Sequence, residues 1–576
     1  MIKILTFLKN HKWLTFLSIF CTISVVFIDL YNTQLMANIV DNGIPNANFQ
    51  YIVSTGLLMT GLAILNFFLG AGSTSFSSLV SNKVAFEVRE TIFKKIQRFS
   101  LKKTSKYTTG SLVTRLSTDI DFIQRTLNFA LRLLVRSPIM LASAVIVVWN
   151  TEQRMAYIVL ALVVFLLFVM GLIIIYGFPR FRKVQQKLDS LNQNVQEGLI
   201  NIRLIKSFVR EDYEDHKFRT TSEDLKGKSI QAQRIFLFLD PVMMLCLNLA
   251  TLTIMLLGSY FAVFSQTLRL GDLLVFLNYM RFTLFSMMMI TMIFSMISRS
   301  KASTDRLKEI MDEEIDITSP RDVSALSDIK GHVQFNDVSF KYYLDNEQYI
   351  LKDINFEVLP GEQLGIIGST GSGKSTLVNL LVRLIDPIDG EITIDGVNIN
   401  QLDLKKLREM IGFVPQKSVL FTGSYLDNLR WGNADATRDD VILATKIASI
   451  YDFIKGNPDG VDGMITQGGT NLSGGQRQRF SIARALVKKP QILVLDDSTS
   501  ALDQATEAQI NETFQSELKD TTIINIAQKI SSISHCDKII VLEKGEMVGY
   551  GTHQSLLESN AIYQEIYESQ MRKEVI

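Results

Sequence analysis

Long uncharged, apolar stretches dominate the first half of the chain. Three of them run from Tyr51 to Asn82, from Met155 to Pro179 and from Pro241 to Leu268. Each is longer than the roughly 20 residues that a helix needs to cross a bilayer. These stretches predict three membrane-spanning helices.

Three weaker apolar stretches begin near Trp13, Ser137 and Leu273. The first reaches Asp29, the second is short, and Arg281 interrupts the third, so each is a less regular span. The basic start followed by an apolar run is similar to a secretory signal, but the run continues without a convincing cleavage site. We therefore predict a retained first helix and six spanning helices in total.

The distribution of basic residues predicts the orientation of these helices. Lys and Arg cluster between residues 83 and 136 and between 180 and 234, whereas residues 41–50 contain neither. By the positive-inside rule, the two basic segments and the N-terminus are cytoplasmic. Both segments are helix-like, so we expect the membrane helices to extend into the cytoplasm; the alternative is a pair of solvated helices without a partner.

Overall charge and cysteine content give no indication of a nucleic-acid partner, a zinc site or a disulfide framework. The 59 Lys and Arg residues balance 58 Asp and Glu residues, and a net charge of +1 gives no reason to expect a nucleic-acid partner. The three cysteines, Cys21, Cys246 and Cys536, are far apart and lack zinc-ligand spacing. They indicate neither a zinc site nor a disulfide framework.

The pattern changes to short β-rich runs separated by turns from about His332. A linker at residues 312–330 divides a membrane domain, 1–311, from a soluble domain, 331–576. In the soluble domain, an apolar strand leads into Gly368-Ser-Thr-Gly-Ser-Gly-Lys-Ser-Thr, and a helical run follows. This is a phosphate-binding loop in its required context, in which backbone N–H groups and Lys374 contact phosphates and Ser375 ligates Mg²⁺.

A second apolar strand, Ile492-Leu-Val-Leu, ends at Asp496, which can hold Mg²⁺ through water. Between the two motifs lies Leu472-Ser-Gly-Gly-Gln-Arg. With this segment the chain resembles the ATP-binding cassette (ABC) family, specifically exporters in which six helices precede one cassette. The resemblance implies a multidomain membrane protein with an all-α transmembrane domain followed by an α/β P-loop nucleotide-binding domain.

The resemblance also implies roles for individual residues, with ATP and Mg²⁺ as cofactors. Tyr342 would stack on adenine, Gln416 would sense Mg²⁺ and the γ-phosphate, and Ser375, Gln416 and Asp496 would form the metal site. Asp503 would lie where two cassettes communicate. The loop and signature residues that would bind nucleotide are Gly368, Ser369, Thr370, Gly371, Ser372, Gly373, Lys374, Ser375, Thr376, Ser473, Gly474, Gly475 and Gln476.

Two further segments resemble the cytoplasmic parts of the family that couple membrane helices to cassettes. They are Gly110-Ser-Leu-Val-Thr-Arg-Leu-Ser-Thr-Asp-Ile-Asp and Ile205-Lys-Ser-Phe-Val-Arg-Glu-Asp. We expect both to lie against a cassette.

The chain departs from the family pattern at its two catalytic positions. Asp497 replaces the Glu that polarises the attacking water, and its carboxylate is set back by about one C–C bond, roughly 1.5 Å. Gln528 replaces the switch histidine, and a neutral amide cannot titrate near pH 7. Gln467, where many exporters have Glu, is a third and weaker departure.

These departures predict a slow ATP site in one half of a heterodimeric exporter, whose homologous partner carries the catalytic Glu and the switch His. The intact signature of this chain would serve the partner's site. The alternative is a homodimer with two slow sites. The resemblance to bacterial drug exporters implies a multi-pass plasma-membrane protein with a cytoplasmic cassette.

Multidrug efflux of small apolar or amphipathic compounds is the function we expect, and the sixth helix offers a soft, polarizable surface. Lipid-facing packing explains that surface equally well, and lipid or peptide export remains an alternative, as does an ATP-gated channel or regulatory subunit. Asp29 and Arg281 are costly inside a bilayer and could face an aqueous cavity or pair with each other, and an interfacial position explains Asp29 almost as well. The residues of the soft surface are Phe282, Phe285, Met287, Met288, Met289, Met292 and Phe294.

Overall fold

The computed structural model describes residues 6–264, 268–320, 329–342 and 348–574. Some side chains within residues 158–178, 236–243, 291–298 and 572–574 lie outside this description. The described chain forms two compact units, Met1–Lys95 with Thr109–Glu313, and Ile96–Thr108 with Glu314–Ile576.

The first unit is helical throughout its described residues. Short 3₁₀ or π-helical turns at Thr6–His11, Ile39–Gly43, Arg115–Asp119 and Ala130–Leu134 extend or join its longer helices. The first two helices, α1 and α2, span Lys12–Asn38 and Phe49–Ile96. A short helix that packs with the second unit, α3, spans Leu101–Ser105. The remaining helices are α4 (Thr109–Thr114), α5 (Ile120–Phe129), α6 (Val135–Thr151), α7 (Gln153–Ile200), α8 (Ile202–Ser207), α9 (Glu211–Leu237), α10 (Leu239–Val263) and α11 (Leu270–Asp312).

Five helical stretches among the described residues are long and apolar enough to cross a membrane. They include the three weaker stretches of the sequence, so charges at Asp29 and Arg281 do not prevent a continuous helix. The predicted span from Met155 to Pro179 lies in α7, where several side chains fall outside the described residues. The five spans are Thr6–Gly43, Phe49–Ile96, Thr109–Thr151, Met244–Val263 and Leu270–Ile290.

The second unit consists of strands and short helices. Its strands are β1 (Val333–Phe340), β2 (Leu351–Val358), β3 (Gln363–Gly368), β4 (Asp389–Ile394), β5 (Val397–Asn398), β6 (Ile411–Val414), β7 (Gly423–Ser424), β8 (Met464–Ile465), β9 (Ile492–Asp496), β10 (Thr522–Ile526), β11 (Lys538–Glu543) and β12 (Glu546–Gly551). Its helices are α12 (Lys374–Leu381), α13 (Leu404–Met410), α14 (Tyr425–Arg430), α15 (Arg438–Ile447), α16 (Tyr451–Lys455), α17 (Gly474–Leu486), α18 (Gln504–Glu517), α19 (His553–Ser559) and α20 (Ala561–Glu574), with 3₁₀ turns at Ile399–Gln401, Gly460–Asp462, Gln467–Gly469 and Ile530–Ser532.

The central sheet of this unit brings the chemical motifs to one edge. Its strand order is β12-β11-β3-β10-β9-β6, and all neighbours except β11 and β12 are parallel. Strands β3, β9 and β10 are buried over most of their length and consist mainly of apolar residues. This is expected because both faces of a parallel sheet are covered. Their carboxyl ends therefore lie side by side, where ligands bind in open α/β sheets.

The segment Ile96–Thr108 packs with the second unit rather than with the helices on either side of it. The backbone N–H of Leu101 donates to the carbonyl of Leu384 at 3.1 Å, and the Ser100 hydroxyl donates to Asp316 at 2.6 Å. Ser100 also caps α3, since its hydroxyl accepts from the N–H of Lys103. The short helix is thereby held against the cassette.

The segment Gly110–Asp121 lies in the first unit, where buried Arg115 pairs with Glu309 at 3.0 Å and buried Asp119 accepts from Ser303 at 2.8 Å. Its charged residues therefore join helices of that unit. The docked segment ends immediately before it.

Candidate nucleotide site

The loop between β3 and α12 has the backbone conformation of a phosphate cradle. Gly371 and Gly373 have φ of 86° and 102°, which side chains other than glycine rarely adopt. A Cβ atom on Gly373 would lie 2.6 Å from Leu351 Cδ2. The two glycines let the loop turn tightly at the N-terminus of α12, where backbone N–H groups favour anions.

Lys374, the first residue of α12, folds back over this loop. Its ammonium donates to the carbonyls of Gly368 at 2.7 Å and Ser369 at 2.8 Å. Burial lowers the pKa of Lys374, while the carboxylates of Asp497 and Asp496 oppose that shift. A cation held by main-chain carbonyls can transfer to phosphate oxygens, which are stronger acceptors.

Ser375 and Asp496 form a pair of oxygen ligands beside the loop. The Ser375 hydroxyl donates to Asp496 Oδ1 at 3.0 Å, and burial raises the pKa of Asp496 despite this bond. Hydroxyl and carboxylate oxygens suit Mg²⁺, which binds through few protein groups and substrate phosphates. The residues present therefore fit Mg²⁺ together with a nucleotide phosphate chain.

Asp497 is the centre of a three-residue hydrogen-bond arrangement. Its Oδ2 accepts from Gln528 Nε2 at 2.7 Å and from Gln416 Nε2 at 3.1 Å. Its backbone N–H donates to the carbonyl of Ile526 at 2.9 Å, which fixes the residue at the junction of β9 and β10. The sequence-predicted residues Gln416, Asp497 and Gln528 thus lie together, although they come from three different segments.

The signature residues begin α17, and their polar groups are used within that helix. The Ser473 hydroxyl accepts from the N–H of Gln476 at 3.2 Å, and Gln476 Oε1 accepts from the N–H of Ser473 at 2.8 Å. This is a reciprocal capping box. A Cβ atom on Gly475 would lie 3.2 Å from the carbonyl of Ala501, so the helix start packs closely on the segment before α18.

Asp503 is the N-cap residue of α18 and is the last residue of the segment that precedes this helix. Its carboxylate accepts from the N–H of Thr506 at 3.0 Å and from the Thr506 hydroxyl at 2.8 Å. The bond from the Thr506 backbone lowers the pKa of Asp503 most strongly.

Tyr342 and Thr376 are two further predicted residues. Tyr342 packs edge-on against Phe340 with ring centroids 5.0 Å apart, next to residues 343–347, which lie outside the described chain. Thr376 is buried in the first turn of α12.

Two glutamines that the sequence did not single out also contact these segments. Gln478 Oε1 accepts from the N–H of Ala501 at 3.0 Å, which ties α17 to the segment before α18. Gln570, in the C-terminal helix, contacts both Gln528 and Ile530. Neither residue belongs to a local motif, and only the folded chain brings it to its partner.

The intramembrane charges form a different pair from the one considered in the sequence. Asp29 accepts from Arg136 at 3.0 Å and from Asn66 at 2.7 Å, whereas Arg281 is exposed. Asp29 therefore joins the first three spanning stretches. On α11, Met287 is buried while Phe285, Met288 and Met292 are exposed, and the side chain of Phe294 lies outside the description.

Comparison with known proteins agrees with both units. A family model described as ABC transporter transmembrane region matches residues 15–288, and one described as ABC transporter matches residues 351–500. The chain is 36% identical over 574 residues to the ABC transporter ATP-binding protein YfiB of Bacillus subtilis (strain 168), covering 99% of each chain. The chain belongs to the ABC transporter family.

Other relatives show the same organisation. The ABC transporter ATP-binding protein YknU of Bacillus subtilis is 34% identical over 495 residues, covering 85% of this chain and 83% of that protein. A solved structure of a bacterial Atm1-family ABC exporter with ATP bound has a TM-score of 0.79 at 26% identity, covering 96% of this chain and 97% of that chain. This ABC protein is an exporter half-transporter, with a membrane region followed by the family's ATPase domain, which implies ATP and typically Mg²⁺ as ligands.

Proposed function

We propose that this half-transporter is the subunit with the slow ATP site in a heterodimeric exporter. The observation that carries the proposal is the carboxylate of Asp497, which is one methylene shorter than Glu and accepts from both Gln416 and Gln528. Two amide donors on one oxygen hold the carboxylate in place, and its shorter side chain keeps it back from the position that a Glu carboxylate would reach.

The expected loss of rate at this site is large. Set back by about one C–C bond, the carboxylate would be misplaced by more than the roughly 1 Å that can cost about 100-fold in rate. Gln528 adds no compensating acid or base, because a neutral amide does not exchange a proton near pH 7. Nucleotide binding has no such defect, since the loop, Lys374, Ser375 and Asp496 fit Mg-nucleotide.

Each group in the site has a specific role in this proposal. Backbone N–H groups of residues 369–376 and the ammonium of Lys374 bind and orient phosphates, and Ser375, Asp496 and Gln416 hold Mg²⁺. Tyr342 stacks on the base. Asp497 orients water weakly, and Gln528 donates a hydrogen bond. When bound, ATP supplies the phosphoanhydride whose hydrolysis drives the conformational cycle.

A partner subunit would complete the assembly. The signature residues Ser473, Gly474 and Gly475 are intact, and the N-terminus of α17 is suited to an anionic phosphate on the partner's nucleotide. Four apolar residues on either side of α8 are each more than two-thirds exposed, and we call them the apolar tip: Leu199, Ile200, Phe208 and Val209. An apolar tip of this kind is typical of a surface that another chain covers.

The cargo in this proposal is a small apolar or amphipathic compound. Its support is the soft surface of α11, where Phe285, Met288 and Met292 are each almost half exposed. Polarizable thioether and aromatic groups adapt to varied apolar ligands. Hydrolysis-dependent transport against a gradient would exclude the channel alternative, because a channel cannot move a solute uphill.

Measurement of ATPase activity tests the asymmetric arrangement. The chain is purified in lipid alone and with its coexpressed partner, and the drug-stimulated rate is compared with that of a Gly474→Asp variant. We expect activity that requires the partner and falls at least tenfold in the variant. Comparable activity from the single chain would refute the slow-site proposal.

A further inference from the structure

The C-terminal helix α20 makes hydrogen bonds to the catalytic segment through the side chain of Gln570. Its Oε1 accepts from the backbone N–H of Ile530 at 2.8 Å, and its Nε2 donates to the backbone carbonyl of Gln528 at 2.8 Å. One planar amide thus makes two hydrogen bonds to main-chain groups two residues apart, as a neighbouring β-strand would. We call residues 527–530 the switch segment.

The same segment carries the side chain that contacts the catalytic position. Gln528 Nε2 donates to Asp497 Oδ2 at 2.7 Å. The backbone carbonyl of Gln528 therefore accepts a hydrogen bond from Gln570, while the side chain of Gln528 donates one to Asp497. A change in the backbone position of Gln528 would directly change the geometry of its bond to Asp497.

Helix α20 is itself firmly attached to the cassette. Tyr563 is fully buried in a core cluster with Ala527, Ile530 and Ile533, and its hydroxyl lies 2.7 Å from His553 Nδ1. Gln570 follows Tyr563 by seven residues, two helical turns, and so lies on the same face of the helix. The amide is presented to the switch segment from a rigid support.

The ends of the switch segment are fixed by the buried side chains of Ala527 and Ile530 and by the bond from the Ala527 N–H to the carbonyl of Ile366. Strand β10 ends at Ile526, and Gln528 and Lys529 lie between the strand and the 3₁₀ turn Ile530–Ser532. Neither the Gln528 carbonyl nor the Ile530 N–H takes part in the strand ladder. The two bonds from Gln570 occupy both groups.

We propose that Gln570 is a positioning residue for ATP hydrolysis: it holds the switch segment so that Gln528 keeps its hydrogen bond to the Asp497 carboxylate. The C-terminal helix is thereby a part of the catalytic apparatus of this chain, although it contributes no group that touches nucleotide. A shift of α20 would change the geometry at Asp497 through Gln570 and the backbone of Gln528.

The test compares variants of Gln570 in the assembled transporter, using a partner whose own phosphate-loop lysine is substituted so that this chain's site provides the measured turnover. Gln570→Ala removes both bonds, and Gln570→Glu keeps an acceptor for Ile530 but loses the donor to Gln528. We expect kcat to fall about tenfold for Gln570→Ala and less for Gln570→Glu, with KM changed less than twofold.

Gln564→Ala is the matched control. Gln564 lies on the same helix, and its Nε2 donates to the carbonyl of Leu557, away from the switch segment. We expect it to leave kcat unchanged, while both alanine variants retain the thermal midpoint within a few degrees. Equal effects of the two alanine variants on kcat, or a fall that occurs only with loss of thermal stability, would overturn the proposal.

The test of Gln570 rests on the proposed function, but its result can be distinguished from the result of the slow-site test. A fast site in this chain would refute the slow-site proposal, yet the ratio between Gln570→Ala and the unmodified chain would still report on positioning. An unchanged ratio would refute the role of Gln570 whichever subunit hydrolyses faster.

Discussion

At the scale of single residues, Asp497 combines a short side chain with an unusual backbone. Its φ of 48° lies in the left-handed region, which Asp enters more readily than most residues. Its carboxylate is also held by two amides. Both features accommodate Asp at this position.

Lengthening this side chain should raise the activity of the site. We expect Asp497→Glu with Gln528→His to increase turnover at this chain's site about 10- to 100-fold, because the carboxylate advances and a titratable group replaces the amide. The rate is measured with a partner whose own site is inactive. Asp497→Asn is the control of equal length and should give no gain; a double variant as slow as the unmodified chain would show that another group limits the rate.

The pair between Asp29 and Arg136 is a second feature at this scale. It lies within the candidate spans and joins helices α1 and α6, with Asn66 of α2 as a further donor. Charges at membrane depth are costly unless they are paired. The pair therefore acts as a polar connection among three helices.

Removing one partner of this pair should cost more than removing both. Asp29→Leu leaves the Arg136 guanidinium without its carboxylate, and we expect a loss of roughly 1–3 kcal/mol, a fall of several degrees in the thermal midpoint in detergent. Asp29→Leu combined with Arg136→Met should recover at least half of that loss. A double variant that melts below the single variant would contradict this explanation.

At the scale of elements, the short helix α3 is the part of residues 96–108 that anchors to the cassette. Its first residue, Leu101, donates its N–H to Leu384, and Ser100 before it is extended, with ψ of 163°. Proline is compatible with the first position of a helix and with an extended preceding residue. Leu101→Pro therefore removes one hydrogen bond with little disturbance of the helix itself.

We expect Leu101→Pro to weaken the coupling between substrate binding and ATP hydrolysis. Drug stimulation of ATPase should fall severalfold, while the unstimulated rate stays within twofold, because the nucleotide site keeps all its groups. Leu101→Ala retains the N–H and is the control. If both variants lose stimulation equally, the side chain of Leu101 and not its N–H makes the contact that matters.

The position of α3 shows what local patterns could and could not predict. Ser100 caps α3 with a residue type that is typical of helix N-termini, a local feature of the chain. Its bond to Leu384 joins positions almost three hundred residues apart, and no local pattern specifies that partner. The segment Gly110–Asp121 resembles the coupling segments of the family, and the partners of its buried charges, Glu309 and Ser303, were likewise not readable from local patterns.

At the scale of the whole molecule, the apolar tip formed by Leu199, Ile200, Phe208 and Val209 is relevant to assembly with a partner. Phe208 is 69% exposed and Val209 is 81% exposed, so neither contributes much to the core of this chain. Val209 also has φ of 52°, an unfavourable conformation for a β-branched residue. A surface of this kind is consistent with burial against a partner.

Charge at the tip should therefore disrupt assembly without unfolding the chain. We expect Phe208→Glu to reduce partner-dependent ATPase and copurification of the partner at least fivefold, while the thermal midpoint of the isolated chain changes little. Phe208→Leu keeps an apolar surface and should remain active. Normal assembly of Phe208→Glu would show that this tip is not part of the interface.

The sequence by itself determined the class of this protein. Apolar length predicts spanning helices because a bilayer has a fixed thickness, and the loop Gly368–Thr376 predicts phosphate binding because its glycines and Lys374 act locally. The substitutions at Asp497 and Gln528 were likewise visible as single letters. These properties depend on neighbours within a few residues.

Tertiary structure alone decided which side chains meet. The pairing of Asp29 with Arg136, the shared acceptor at Asp497 Oδ2 and the contact of Gln570 with residues 528 and 530 all join segments that are distant along the chain. A hydrogen bond requires its two atoms to lie about 3 Å apart, and only the packing of helices and parallel strands brings such distant residues that close.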